Sequence, residues 1–139
     1  MKTPRFLRAL FLASTLAWPA AAQEVDLVPA TAVAEDWLRL VDTGRYSESW
    51  EASAPYFQQA VDKRQWEVSM QSLRAPLGVV LSRKVRSALY TKTLPGAPEA
   101  EYVVIQYDTR FENRPLSIET VTPMRDKDGT WRVSGYYIR

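Results

Sequence analysis

The spacing of apolar residues changes once along this chain, at Gly78, and that change limits the folds open to it. Before Gly78, apolar side chains recur every three or four residues, as in Val33, Trp37 and Val41, which predicts amphipathic helices. After Gly78 they alternate with polar residues, which predicts strands. Helices followed by consecutive strands with short turns are typical of an α+β fold. We therefore expect three N-terminal helices packed on one face of a four-stranded antiparallel meander sheet with a cone-like shape.

Turn and capping signals place the boundaries of these elements. The first predicted helix covers residues 30–42, and the second is short and carries Tyr46 and Trp50. The third begins after Asp62, which forms a capping-box pattern with Gln65. The helical and strand spacing of the tryptophans predicts core positions rather than a sugar-stacking surface for Trp37, Trp50, Trp66 and Trp131. The predicted strands cover residues 79–89, 101–111, 116–124 and 130–138.

The first 22 residues have the three-part order of a secretory signal peptide. A basic start is followed by an apolar stretch over residues 9–18 and by small residues that end at a predicted cleavage site, Ala22. The apolar stretch is short of the ~20 residues that a membrane-spanning helix needs. We expect a cleaved signal peptide over residues 1–22, a periplasmic or secreted location, and a single domain over residues 23–139. An uncleaved membrane anchor is the alternative.

Removal of the signal peptide changes the charge of the chain. Three of the 18 basic residues lie within it and all 16 acidic residues lie beyond it, so 15 basic and 16 acidic residues remain, a net charge of −1. This balance gives no argument for a nucleic-acid partner or for a stable membrane anchor after cleavage. The sequence has no cysteine and no histidine, which excludes disulfides, a lipid-modified cysteine, and Ser–His or Cys–His catalytic pairs. We expect no metal and no cofactor.

The predicted strand pairing assigns residues to two faces of the sheet. Pairing Phe111 with Leu116, and Met124 with Trp131, collects most apolar strand residues on one face, which the helices should cover. The middle of that face holds three small residues: Thr120, Thr122 and Gly135. These small residues leave space either for bulky side chains from the helices or for a ligand cavity.

The opposite face of the predicted sheet carries an apolar cluster and a charged cluster. The apolar cluster predicts a partner surface formed by Tyr102, Val104, Val121 and Tyr136. In the charged cluster, Asp108 and Glu119 are expected to face each other with Arg110 diagonal to Glu119. The cluster fits either a solvated group of surface charges or an acid–base pair of carboxylates.

Arg83 falls on the apolar side of the first predicted strand, where a charge needs a partner. One hypothesis is a binding site for an anion or carboxylate ligand, with Arg74 nearby. The alternatives are an internal partner such as Glu67 or Asp42, a bulge that turns the side chain outward, or a position at the wet rim of the sheet.

Several sequence runs occur in a fairly specific order and spacing. They are Trp37-Leu-x-Leu-Val-Asp-x-Gly-x-Tyr46-x-x-x-Trp50, Gln65-Trp66, Arg74-Ala-Pro-Leu-Gly78 with Ser82-Arg83, Leu94-Pro-Gly96, and Asp128-Gly-x-Trp131-Arg-Val-x-Gly-Tyr-Tyr137. Together they resemble the bacterial family known as domain of unknown function 4019, over most of residues 34–139. The resemblance implies a small exported protein with no assigned activity. The order of elements is also similar to the cone-shaped fold of nuclear transport factor 2 and ketosteroid isomerase, and such folds often dimerise through the sheet, which implies a homodimer through the outer face.

These observations favour a small exported binding or protein-interaction domain over an enzyme. The partner is a second copy of the chain, an unknown envelope protein or an unknown small ligand. The alternative function is a cone-fold isomerase or dehydratase that uses an Asp or Glu with Tyr107 or Tyr137. An enclosed polar cavity with a carboxylate beside a tyrosine would favour that alternative.

Overall fold

A computed structural model describes residues 24–139. The predicted signal peptide and its cleavage site at Ala22 lie outside the described residues. Within 24–139, no helix is both long and apolar enough to cross a membrane. The helices are α1 (Val28–Asp42), α2 (Tyr46–Glu51), α3 (Pro55–Ala60) and α4 (Lys63–Arg74), followed by a short 3₁₀ turn (Ala75–Leu77). The strands are β1 (Val80–Thr91), β2 (Glu101–Phe111), β3 (Arg114–Arg125) and β4 (Trp131–Ile138).

The mixed α+β class is confirmed, but residues 24–139 contain four α-helices rather than three. The additional helix is α3, which begins at Pro55, where the prediction ends its second helix. Proline fits the first turn of a helix because its missing N–H would have no partner there. The residue that signals the end of one helix therefore also begins the next.

The two longer helices form as the sequence predicts. The buried side chains of α1 form one stripe along the helix: Ala30, Ala34, Trp37, Leu38 and Val41. At the start of α4, the Asp62 side chain accepts a hydrogen bond of 3.2 Å from the backbone N–H of Gln65, which caps the helix.

The tryptophans of α1 and α4 lie in the core. The rings of Trp37 and Trp66 are 5.9 Å apart, and both residues are buried. Trp37 Nε1 donates to the carbonyl oxygen of Ser49 at 2.9 Å, and Trp66 Nε1 donates to its Oγ at 3.0 Å. Both indole N–H groups are therefore satisfied inside the protein, as a buried tryptophan requires. Trp50 and Trp131 pack against the same cluster and are half-buried.

The strands form one antiparallel sheet in the order β1-β2-β3-β4, as predicted. Helix α1 packs mainly against β3 and β4. We call the side of the sheet that faces the helices the inner face; it includes Arg83, Val85, Val103, Ile105, Tyr107, Thr109, Phe111, Ser117, Glu119, Val121 and Tyr136. The other side, the outer face, includes Lys84, Leu89, Val104, Gln106, Asp108, Arg110, Leu116, Ile118, Thr120, Thr122 and Tyr137.

The register between β2 and β3 differs from the prediction by one residue. Phe111 pairs with Arg114 rather than with Leu116, across a turn formed by Glu112 and Asn113. An irregularity between Thr109 and Phe111 then adds one residue to β3, so that Thr109 pairs with Ser117 rather than with Ile118. Asn113 holds this turn against the 3₁₀ turn, since its backbone N–H donates to the carbonyl oxygen of Leu77 at 2.9 Å. A slip of one residue moves every side chain of a strand to the other face. Leu116, predicted to face the helices, is consequently 90% exposed.

Both alternatives for the three small strand residues, space for bulky helix side chains or a ligand cavity, are therefore wrong. Thr120 and Thr122 of β3 lie on the outer face, and Gly135 pairs with Thr122. The helices lie on the other side of the sheet, so these residues neither receive the tryptophans nor line a space beneath them.

Gly78 allows the β2–β3 turn to approach the end of the helical half. Its φ is +75°, in the left-handed region that favours glycine. A Cβ at this position would lie 2.8 Å from Cβ of Glu112 in the turn. The residue at which the sequence pattern changes is thus also a point where the β2–β3 turn closely approaches the helical half.

Candidate functional site

Two arginines and one carboxylate meet on the inner face, at the C-terminal ends of two helices. Asp42 is the last residue of α1 and Arg74 is the last residue of α4. Arg83 of β1 binds both oxygens of Asp42, with Nη1–Oδ2 and Nη2–Oδ1 distances of 2.7 and 2.9 Å. Arg74 Nη2 donates to the same Oδ1 at 2.9 Å. A single carboxylate therefore joins two arginines, one of them through a bidentate contact.

Glu119 of β3 is the second carboxylate of this group, and it is fully buried. Its Oε1 accepts hydrogen bonds from Arg83 Nε at 2.7 Å and from Thr109 Oγ1 at 2.6 Å. Its Oε2 accepts from the Tyr136 hydroxyl. A buried carboxylate is costly unless it is paired and hydrogen-bonded, and three donors meet that condition here.

We call these six residues the buried ion network: Asp42, Arg74, Arg83, Thr109, Glu119 and Tyr136. Arg74, Thr109 and Glu119 are buried, Arg83 and Tyr136 are half-buried, and Asp42 is the exposed member of the network. They come from six different elements, namely α1, α4 and the four strands. The network consequently fixes how both long helices sit on the sheet.

Pairing and burial act together on the pKa values in the network. Burial alone would raise the pKa of Asp42, but the hydrogen bonds and charges of Arg83 and Arg74 outweigh it and hold that pKa below its usual range. Burial disfavours the charged form of Arg83, yet its hydrogen bonds to the two carboxylates raise its pKa above the usual value. Burial, followed by the charge of Glu119, raises the pKa of Tyr136. Arg83 therefore stays charged and Tyr136 stays a hydrogen-bond donor.

The two predicted binding residues, Arg83 and Arg74, are close together because they share Asp42. Each of the three guanidinium nitrogens of Arg83 donates to an internal carboxylate. This arrangement favours an internal partner over an anion-binding role, and Asp42 is one of the two partners that the sequence suggests. Arg83 also lies on the inner side of β1, opposite Thr109, rather than being turned outward by a bulge.

Arg74 is buried and is packed by an aromatic ring. Its guanidinium carbon lies 4.9 Å from the ring centre of Phe111, which is a cation–π distance. Its Nε and Nη1 have no hydrogen-bond partner among residues 24–139. The aromatic face and Asp42 are thus the groups that compensate this charge.

Three of the four predicted interface residues are not exposed on the outer face. Val121 is buried in the core, and the ring of Tyr136 lies 5.2 Å from that of Trp37. Tyr102 is buried in a second small cluster, where the β1–β2 loop supplies Leu94, Ala97 and Ala100. Val104 lies on the outer face as predicted and is half-buried, and Tyr102, two residues away on the same strand, shares that face but is covered. The register slip between β2 and β3 explains Val121. The predicted pairing of Met124 with Trp131 is also wrong, since Trp131 pairs with Arg125, and a bulge between Thr122 and Pro123 then places Tyr136 opposite Val121 on the inner face. The folded-over loop explains Tyr102.

The predicted pairing of Asp108 with Glu119 is also wrong. Asp108 pairs with Ile118 and points outward, where its side chain is 58% exposed and Arg86 contacts it at 3.0 Å. Glu119 pairs with Tyr107 and points inward. The two carboxylates lie on opposite faces, so they cannot act as a pair.

Sequence reasoning therefore missed Glu119, Thr109 and Tyr136 as members of the network. One signal could have found them. Arg83 needs a buried carboxylate partner, and a two-residue turn at Glu112 and Asn113 together with a one-residue bulge between Thr109 and Phe111 brings Glu119 to the inner face. Choosing the register that pairs Arg83, rather than the one that collects apolar residues, gives the observed sheet.

The network offers no metal site. No group of three acidic side chains is placed to hold a metal ion anywhere in residues 24–139. Both carboxylates of the network are already engaged by arginines. Their chemistry is consequently that of internal ion pairing.

Comparison with known proteins agrees with the motifs in the sequence. A family model described as a protein of unknown function, DUF4019, matches residues 33–136. Among curated proteins, no significant match is found. The matched segment includes all six residues of the buried ion network, and Tyr136 is the last residue of the segment. Because the model covers well over half of the sequence, the chain belongs to the DUF4019 family.

Proposed function

We propose that this chain is a small exported, non-catalytic domain that acts by binding another protein through the outer face of its sheet. The observation that carries this proposal is the exposure of large apolar side chains on that face. Leu89 is 64% exposed, Leu116 90% and Tyr137 52%. The helices pack on the inner face and leave this surface open. Exposed apolar groups gathered on one sheet face are typical of a protein contact.

A second copy of the chain is the first partner to consider. The outer face carries both signs of charge, with Lys84 opposite Asp108 in the strand pairing and Arg110 two residues further along β2. Two copies related by a two-fold axis could place cations of one against anions of the other while covering the apolar side chains. This homodimer is the partner that the fold and the charges favour, and an envelope protein is the alternative.

Export to the periplasm or the cell exterior is part of the proposal. It is supported by the basic start, short apolar stretch and small-residue site of residues 1–22. A cone-like arrangement related to nuclear transport factor 2 is proposed for the same domain, supported by helices packed on one face of a four-stranded antiparallel sheet.

The absence of catalysis is inferred from how the buried carboxylates are used. Glu119 is fully buried, and its oxygens accept from Arg83, Thr109 and Tyr136. A general base must reach the proton that it removes, at hydrogen-bond distance from a substrate. Glu119 has neither the access nor a free position for this.

One observation favours the second candidate, an isomerase or dehydratase. Glu119 lies beside two tyrosines, since it pairs with Tyr107 across the sheet and accepts from the Tyr136 hydroxyl. Exchange of the α-protons of small ketones with deuterated water, followed by NMR, tests this function. Exchange that is catalysed by the wild type and lost in Tyr136→Phe would support it and would count against the binding proposal.

The mass of the protein in solution tests the outer-face contact. We expect a dimer at micromolar concentration by analytical ultracentrifugation, and a monomer for Leu89→Asp. Val68→Asp is the matched control, because Val68 is 60% exposed on α4, close to the 64% of Leu89. The control should remain a dimer. A monomeric wild type would exclude the homodimer.

A photo-crosslinking residue placed at Tyr137 tests for other partners in the envelope fraction. We expect it to capture a specific protein that the same group at Val68 does not capture. If neither position gives a specific crosslink and the protein is also monomeric, the interaction proposal is wrong.

A further inference from the structure

A small groove lies on the inner face, beside the part of the sheet that the helices leave open. Because α1 packs mainly on β3 and β4, the inner side of β1 is only partly covered. The groove has a volume of about 230 Å³. We call it the inner groove; it is lined by Glu35, Leu38, Arg39, Arg83, Val85 and Tyr107.

The hydroxyl group of Tyr107 is an unsatisfied polar group in this region. Tyr107 is only 2% exposed, and its hydroxyl has no hydrogen-bond partner among the described residues. A buried hydroxyl without a partner destabilises a protein. Burial, and then the nearby charge of Glu35, raise the pKa of Tyr107 to about 12, so the group remains a neutral phenol. It can donate one hydrogen bond and accept another.

The charges around the inner groove leave one carboxylate without a counter-ion. Arg39 forms an ion pair with Asp36, and Arg83 is held by Asp42 and Glu119. Glu35 makes no ion pair with any of residues 24–139. The unbalanced charge at the groove is therefore negative, which favours a cation over an anion.

The remaining walls and the size of the groove limit the ligand further. Leu38 and Val85 supply apolar surface next to the charged and hydroxyl groups. A volume of about 230 Å³ is below the roughly 300–1,000 Å³ of sites for drug-sized molecules. A ligand that fits must be small, with a short apolar part and one cationic end.

We propose that the inner groove binds a small alkylammonium ion. Its ammonium group donates hydrogen bonds to the Glu35 carboxylate and to the Tyr107 oxygen, and its alkyl part lies between Leu38 and Val85. An ammonium group has three donors, so it can serve both oxygens at once. The site is distinct from the outer face, and it can be occupied whether or not the outer face binds a protein.

Titration with n-butylammonium, followed by the amide signals of the purified protein in NMR, tests this proposal. We expect saturable shifts centred on Leu38 and Tyr107 with a dissociation constant on the order of 1 mM. Butyrate and n-butanol, which match the probe in size but lack the positive charge, should give no saturable shift. Equal binding of either one would show that positive charge does not select the ligand, and no saturation by the ammonium ion would show that the groove does not bind this class of ligand. Either result would overturn the proposal.

Two variants test the two polar contacts, with a third as control. Glu35→Gln should weaken binding by about tenfold, whereas Glu67→Gln, which removes a charge from α4 outside the groove, should leave it unchanged. Tyr107→Phe should weaken binding while the protein becomes at least as stable as the wild type, because the lost hydroxyl is buried and has no internal partner. A clear loss of stability in Tyr107→Phe, or unchanged binding by Glu35→Gln, would contradict the assignment.

Discussion

Glu119 and Asp108 are carboxylates on neighbouring strands, but they lie on opposite faces of the sheet and are used in different ways. Glu119 is fully buried and accepts hydrogen bonds from three side chains. Asp108 is 58% exposed and accepts one hydrogen bond, from Arg86. Water can replace Arg86 as the hydrogen-bond partner of Asp108, whereas only protein groups can donate hydrogen bonds to the buried Glu119.

The comparison extends to the faces themselves. On the inner face the polar groups of the buried ion network hold helices to strands, and stability depends on them. On the outer face the exposed groups make few internal contacts, so they are free to serve an external partner. Substitutions on the two faces should therefore separate stability from binding.

The largest expected effect is on the buried carboxylate. Glu119→Gln keeps the shape of the side chain but removes the charge that Arg83 faces. We expect the free energy of unfolding to fall by about 3 kcal/mol, as for a broken buried ion pair. Asp108→Asn is the control and should change it by less than about 1 kcal/mol. Urea unfolding measures both, and equal losses in the two variants would refute the contrast between the faces.

The next effect concerns the turn between β2 and β3, which lies close to Gly78. In Gly78→Ala the new Cβ would lie 2.8 Å from Cβ of Glu112 at a φ of +75°, which we expect to cost about 2 kcal/mol or more. Gly44 has a similar φ of +73° but no atom within 4 Å of the added Cβ, so Gly44→Ala should cost only about 1 kcal/mol. The difference between their unfolding midpoints isolates the contact with the turn. No difference would mean that the turn does not depend on this close approach.

A third prediction uses acid to weaken the inner face. The pKa of Asp42 is lower in the folded protein than its ordinary value of 3.8. Its stabilising contribution is therefore complete above about pH 4 and is lost as the pH falls through the lowered pKa. We expect Asp42→Asn to be less stable than the wild type at neutral pH, and to lose less stability on acidification. Unfolding curves across this range provide the measurement, and parallel losses in both proteins would contradict the prediction.

The smallest effect is expected on the outer face. Leu89→Ser removes an exposed apolar group, and we expect the unfolding free energy of the monomeric chain to change by about 0.5 kcal/mol or less. Its measurement at low protein concentration, where any dimer is dissociated, checks this. A larger loss would show that Leu89 contributes to the internal packing of the sheet.

Much of the fold could be predicted from the sequence because the apolar spacing carries it. The stripe through Trp37 and Val41 predicted α1, and the alternation after Gly78 predicted the strands, with the bounds of β2 matching at both ends. Asp62 was correctly identified as a helix cap. These signals are local, so they do not depend on how distant elements pair.

The candidate site could be predicted only in part because it depends on strand register. Arg83 attracted attention as a charge among apolar residues, and Asp42 was among its suggested partners. An error of one residue in the predicted register placed Glu119 on the wrong face of the sheet. Tyr136 was placed on the wrong face as well. Apolar alternation alone favoured the wrong register, since Leu116 and Ile118 look like core residues until the bulge between Thr109 and Phe111 is known. Burial of Tyr102 depends on a loop whose path the sequence does not indicate.

The spread of the network along the chain has a consequence for folding. Asp42 and Arg83 are 41 residues apart, and Arg83 and Glu119 are 36 apart. A partly folded form that docks the helices before β3 is paired would bury arginine charges without their full set of partners, which is unfavourable. Such intermediates should be scarcely populated. We expect the helical signal and the tryptophan fluorescence to be lost in one cooperative transition, with slow formation set by these distant contacts.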